Sequence, residues 1–236
     1  MGRAQSLFAA ERRDEGIAAL FALREKHPEH VQLHIALGEM LRRSERYAEA
    51  ADAYSEAIGL IGEIEPRQWF LHYYRAISYE RIKDWARAEP DFHRALELFP
   101  DHPQVLNYLG YTLLERGERI DEAMEMIKSA VAQRPEDGHI IDSLAWGYFL
   151  LGRFEEAVEP MERASLLMPL DAVVTDHLGD VYWAVGRRLE ARFQWRRALS
   201  FENPDADPAR IRRKLEIGLD AVLEEEGAPP LSARRQ

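Results

Sequence analysis

The chain has 236 residues, 31 basic and 42 acidic, for a formal net charge of −11. That balance excludes a general nucleic-acid or anionic-membrane surface, which it would repel at long range, and favours a basic or apolar partner. The complete absence of cysteine removes thiol catalysis, disulfides and thiolate metal sites, while the lack of any apolar run near ~18 residues removes a membrane-spanning helix.

In chain order, residues 1–30 read as a shortened helical unit at the N-terminal end, with Leu7, Ile17, Leu20 and Leu23 on its apolar face and Gly16 as its small residue. Its missing first part is what a chain cut from a longer protein would show, and MGRAQSLFAAERR carries no signal-peptide core. Residues 31–64 make a helix pair, with Leu37, Gly38 and Leu41 in the first helix and Tyr47, Ala50, Tyr54 and Ala57 in the second. Extra residues then fall in GEIEPRQ (62–68), where Pro66 forbids a continuous helix. Residues 69–102 make a third unit with Arg75 at an apolar position, so that its guanidinium either snorkels to solvent or pairs with a buried carboxylate. Residues 103–137 carry one extra residue in RGERIDEA, between the helices. In 138–171, Ile141, Leu144, Tyr148 and Leu151 precede a break at Gly152-Arg153, and Phe154, Ala157, Met161 and Ala164 follow before Pro169 closes the unit. Pro90 and Pro160 sit inside second helices and predict kinks, at about 3 kcal/mol each in a straight helix. Residues 172–205 form the last pair. Asp207-Pro208 opens a capping helix over 206–225 with Ile211, Leu215, Leu219 and Val222 on one face, and residues 226–236 lack periodicity and are expected to be disordered.

A fixed period ties these units together. The small residues Gly16, Ala50, Ala88, Ala123, Ala157 and Ala191 step by 34, 38, 35, 34 and 34, and Leu23, Ala57, Ala95, Ala130, Ala164 and Ala198 repeat the same steps. A first-helix ladder, Gly38, Ala76, Gly110, Ala145 and Gly179, follows within one residue. Small residues where helices cross let the backbones approach, and large neighbours fill the remaining space. Gly110, Ala123 and Pro135, then Tyr148, Ala157, Ala164 and Pro169, then Leu178-Gly179, Tyr182, Ala191, Trp195 and Ala198 resemble the tetratricopeptide repeat of 34 residues. The expected fold class is therefore all-α: a right-handed superhelical tetratricopeptide (TPR) solenoid of helix-turn-helix repeats, one partial and five full, with a C-terminal capping helix.

No catalytic constellation stands out: there is no Gly-rich phosphate loop, H-E-x-x-H or G-x-S-x-G. His30 and His34, with His27 nearby, are the nearest approach to a metal pair, but a turn residue and a helix start need not share a face. Glu155 and Glu156 lie at a helix start, where negative charge suits the macrodipole. Neither an enzyme nor a cofactor or metal site is expected.

The family resemblance implies that the first helices line a concave groove. Carried onto this sequence, its groove positions are Tyr73, Tyr74 and Ile77; Asn107, Tyr108 and Tyr111; His139, Asp142, Trp146 and Phe149; and Asp176, His177, Asp180 and Trp183. Such a groove is aromatic with an acidic end, and fits an extended peptide or protein segment carrying apolar anchors and Lys or Arg. Core packing is the alternative reading of each ring. Family arrays that clamp a terminal carboxylate use Lys, Arg and Asn; here Asn107 has only Arg42, Arg43 and Arg81 toward the other end, so no such clamp is expected. The wording from Tyr74 to Pro204, including VLNYLGYTLLERG and DGHIIDSLAWGYFLLGRFEEA, resembles a bacterial group of these proteins, many secreted or lipid-anchored. It is also similar to the C-terminal repeats of envelope adaptor lipoproteins that partner a carboxyl-terminal processing protease. That resemblance implies a periplasmic adaptor if the chain is cut from a longer one; as written it reads as cytoplasmic. The expected function is a non-enzymatic protein-binding scaffold, with a self-assembling structural subunit as the alternative.

Overall fold

The computed structural model describes residues 2–201 and 206–234, with side chains for 12–201 and 206–233. The chain divides into two compact units, Met1–Val105 and Leu106–Gln236. Among the described residues every regular element is helical, and consecutive helices pack in pairs.

The first unit runs α1 (Gly2–Lys26), α2 (Val31–Arg43), α3 (Tyr47–Ile61), a 3-10 turn (Pro66–Gln68), α4 (Trp69–Arg81) and α5 (Trp85–Leu98). In place of the expected shortened pair, residues 2–26 are one unbroken helix. Past its first residue, Gly2, the stretch holds no helix breaker other than Gly16, and a methyl group there would stand 2.8 Å from Met40 Cε. Ile17 is buried, Leu23 is 44% exposed, and Leu7 lies outside the described side chains. The loop over 62–68 ends in the 3-10 turn, where the Glu65 amide donates to Gln68 Oε1 at 2.8 Å. Arg75 pairs rather than snorkels: Nε donates to Asp91 Oδ2 at 2.6 Å and a terminal nitrogen to Asp91 Oδ1 at 2.7 Å.

The helix α6 (Pro103–Arg116) begins at the end of the first unit. The second unit continues with α7 (Ile120–Gln133), α8 (Gly138–Leu150), α9 (Phe154–Leu167), α10 (Ala172–Ala184) and α11 (Arg188–Ala198). Helices α5 and α9 run on through Pro90 and Pro160, each proline removing one backbone donor. Residues 202–205, the end of the sixth expected unit, lie outside the described residues.

The small-residue ladder is the packing rule of both units. Ala50, Ala88, Ala123, Ala157 and Ala191 are completely buried, and so to within 1% are Tyr54, Phe92, Ile127, Met161 and Trp195, each on its unit's second helix. The pairing with the first helix is tight: an added methyl at Gly38 would stand 2.9 Å from the Tyr54 ring, and one at Gly179 only 2.4 Å from Trp195. Each turn within a pair closes in the same way. Backbone amides of Arg46, Asp84, Glu118, Arg153 and Arg187 donate to carbonyls five residues back at 2.8–2.9 Å, which needs a left-handed residue in the turn. Gly152 and Gly186 supply it freely, whereas Glu45 (φ 59°) and Lys83 (φ 65°) adopt it with a side chain.

The C-terminal end departs from expectation twice. The capping helix is two helices, α12 (Pro208–Ile217) and α13 (Leu219–Glu225), broken at Gly218 with φ 86°. A Cβ at Gly218 would stand 2.4 Å from Trp183, so only glycine lets the chain turn against that ring. The tail expected to be disordered turns at Gly227 and ends in a short α14 (Leu231–Arg234), with Leu231 6% exposed in the same core as Trp183 and Trp195. Its apolar anchor is a single residue, too little for a periodicity.

Candidate functional site

In the first unit, two of the three expected groove residues are core. Tyr73 (8% exposed) meets Phe92 edge-on at 6.2 Å, and Ile77 is 9% exposed. Burial pushes the Tyr73 phenol well above its ordinary pKa. Tyr74 remains half-buried, with the Arg42 guanidinium 4.4 Å above its ring and Tyr54 stacked at 6.2 Å. His34, the nearest approach to a metal ligand, is buried with Nε2 donating to the Pro28 carbonyl at 2.8 Å, while His27 and His30 are exposed.

In the second unit the expected residues of α6, α8 and α10 form a connected row. Trp146 Nε1 donates to Glu115 Oε1 at 2.8 Å. Its ring lies 4.7 Å from Phe149 at 12° and 4.0 Å from His177 at 14°. Two near-parallel rings this close to one centroid would overlap if both lay on one face, so Trp146 is sandwiched between them. His177 Nδ1 donates to Asp142 at 3.0 Å. Burial works against a charged imidazole, but the carboxylates of Asp142, Asp176 and Asp180 outweigh it and raise the His177 pKa above its usual value. Burial, with Glu115 and Asp142 alongside, likewise pushes the Tyr111 phenol far up, so it stays neutral. Asn107, Tyr108 and Tyr111 are half-buried and His139 is exposed, whereas Phe149 (2%) and Asp142 (8%) are core. The Asn107 Oδ1 is a buried acceptor without a protein partner among the described residues.

The acidic end is where the structure corrects the sequence reading most. Asp180 is 1% exposed and Lys214, from α12, is fully buried. Lys214 Nζ donates to Asp180 Oδ1 at 2.7 Å and to Asp176 Oδ1 at 2.5 Å. Trp195 Nε1 also donates to Asp180, at 2.8 Å. Trp183 is not an open ring either: Nε1 donates to Asp220 at 2.7 Å, and the Arg188 guanidinium lies 3.8 Å over its face. Asp176, Asp180 and Trp183 therefore hold the C-terminal helices rather than await a partner's cation. Burial and the neighbouring Asp180 push the Asp176 carboxyl up to about 6, against the pull of Lys214. Two residues were missed. Lys214 follows Ile211 by three positions, on the apolar face of its helix, and a lysine there signals a buried partner. Glu115 follows Tyr111 by four, one turn along the same face.

Paired helices at a period near 34 with small residues at each crossing define a helix-pair repeat protein. The chain belongs to the tetratricopeptide repeat family, whose model matches residues 1–63 and 73–138, more than half of its length. It is 34% identical over 148 residues to the TPR repeat-containing protein PA4667 of Pseudomonas aeruginosa, a match covering 62% of this chain and 24% of that one. The chain thus spans about a quarter of that relative's length. In fold it is similar to the type IV pilus biogenesis factor PilW (TM-score 0.68, 21% identity, 84% of this chain and 90% of that one). It is also similar to a chain of the APC/C hetero-tetramer Cut9-Hcn1 (TM-score 0.73, 16% identity, 89% of this chain and 40% of that one). Proteins of this family generally mediate protein–protein interaction and are typically non-enzymatic.

Proposed function

We propose that the protein is a binding scaffold whose working surface is the first-helix row of the second unit, and that it receives an extended segment of another protein. The observation that carries this reading is the cross-bracing of that row. Glu115, Trp146, His177 and Asp142 are fixed to one another across three helices, so the neighbouring Asn107, Tyr108, Tyr111 and His139 stand on a surface already ordered. A rigid amphipathic surface loses little side-chain freedom on binding. Since Lys214 already occupies the acidic end, recognition rests on ring burial and hydrogen bonds more than on a cationic anchor. The resemblance to envelope adaptors makes a carboxyl-terminal processing protease the first partner to try.

The test is capture of that protease, or of a single partner from the source cells, by wild type and by a Tyr108→Ala, His139→Ala variant whose helicity is checked by circular dichroism. Loss of capture by the folded variant supports the reading. Undiminished capture contradicts it.

A further inference from the structure

The second helices of the second unit carry an internal control. Two residues before and two after the ladder alanine, the side chains face outward: Asp121 and Glu125 in α7, Glu155 and Glu159 in α9, Leu189 and Phe193 in α11. Where two repeats place four carboxylates, the third places a leucine 83% exposed and a phenylalanine 62% exposed. They are four residues apart and so share a face. Arg196, three residues further along that face, is exposed and has no hydrogen bond or ion pair to a described residue. This is a knob of two apolar side chains with a cation beside it.

A hollow of matching chemistry lies elsewhere in the same unit. A cavity of about 360 Å³ between α7, α8 and α9 is lined by Val131, Ile141, Leu144, Tyr148 and Pro160, with Glu159 and Arg163 also on its wall; Arg163 is bonded to the Pro135 carbonyl, which leaves Glu159 as the wall's unpartnered charge among the described residues. Pro160 has no amide hydrogen, so the carbonyl of Glu156, which also lines the cavity, lacks its helical donor. Glu159 has no hydrogen bond or ion pair to a described residue. The volume is at the small end of ligand-sized cavities and accommodates an aromatic ring.

We propose that the α11 knob of one copy of this chain docks into the α7–α9 cavity of a second copy. Phe193 fills the apolar cavity, Leu189 covers its edge, and Arg196 pairs with Glu159. The contact is heterologous, so each copy has one knob and one cavity to offer and association continues past the dimer. With so few residues buried, it is weak, with Kd on the order of 100 µM. It uses neither Tyr108 nor His139, so it stands or falls separately from the proposed binding surface.

Sedimentation velocity over roughly 5–500 µM, a range that brackets this affinity, tests it, with Arg196→Glu and Glu159→Arg as charge-reversal partners. Wild type should grow in mass with concentration, and each single variant should stay monomeric, because its knob and its cavity wall then carry like charges. An equimolar mixture of the two variants should associate again. Every contact between unlike variants restores a carboxylate facing a guanidinium, so the mixture should grow past the dimer as wild type does, in alternating copies. A monomeric wild type across that range would overturn the proposal and leave the knob to a different partner. So would self-association unchanged in both single variants, or a mixture that stays monomeric while wild type associates.

Discussion

Two buried carboxylate clusters, one in each unit, solve the same problem with opposite consequences. In the first unit a single acid, Asp91, faces two donors: Arg75 grips it with two bonds and His72 Nδ1 adds a third at 2.8 Å. In the second unit two acids, Asp176 and Asp180, are both bonded by Lys214, and the Arg210 guanidinium stands further off, 3.7 Å from Asp180. Burial alone would raise the Asp91 pKa, but its donors win and hold it below the ordinary carboxylate range, whereas burial and Asp180 win at Asp176 and raise it. The number of direct hydrogen bonds from donors decides whether a buried carboxylate is stabilised as an ion: Asp91 accepts three and Asp176 one, from Lys214. An exit to water matters as well. The Arg75 side chain is 18% exposed, while Lys214 is fully enclosed.

Removing the enclosed cation should therefore cost most. Lys214→Met leaves Asp180 buried with only Trp195 Nε1 and the more distant Arg210 guanidinium as partners, and about 3 kcal/mol should be lost in urea unfolding. A change near zero would mean that the C-terminal helices are not docked as described. Asp91→Asn should cost less, about 2 kcal/mol, because Arg75 can turn its head to solvent; a loss equal to that of Lys214→Met would remove the distinction between the two clusters.

The pH dependence separates the clusters by sign. A raised acid pKa means the folded state holds the proton longer, so the Asp176 contribution is full below about 3.8 and is lost as pH rises through about 6. The lowered Asp91 value works the other way: its contribution is present above 3.8 and is lost as pH falls. Asp176→Asn should accordingly gain on wild type between about pH 4 and 7 in thermal melts, and a variant that loses ground over that range would reverse the assignment. A smaller signal comes from His177, whose ring should titrate above 6.5 by NMR and move down in Asp142→Asn. The smallest comes from the turns: Lys83→Gly relieves a left-handed side-chain residue and should add about 0.5–1 kcal/mol, where a loss would show that Lys83 is not strained.

The fold was legible because repetition multiplies weak signals. One small residue among helical positions means little, but five at matching steps fixed the crossing points, and the rings and large side chains opposite them followed. What escaped was whatever occurs once. Lys214 reaches back 34 residues to Asp180 and 38 to Asp176, and no period marks a contact made a single time. Gly218 breaks the C-terminal helix because Trp183 stands against it, a contact that occurs once. The groove reading failed in part for a related reason. Family positions say which way a side chain points, not whether another element already covers it. Tyr73, Ile77 and Phe149 point into packed neighbours, and Trp146 is covered on both faces by rings 3 and 31 residues away in sequence.

The central claim, that the first-helix row of the second unit receives another protein, is tested most directly by placing a photo-crosslinking amino acid at Tyr108, His139 and, as a control on a second helix, Glu122, and irradiating in the source cells. Positions 108 and 139 should yield one adduct of the same mass and position 122 none. Adducts at 122 alone, or at 122 as readily as at 108 and 139, would contradict the claim.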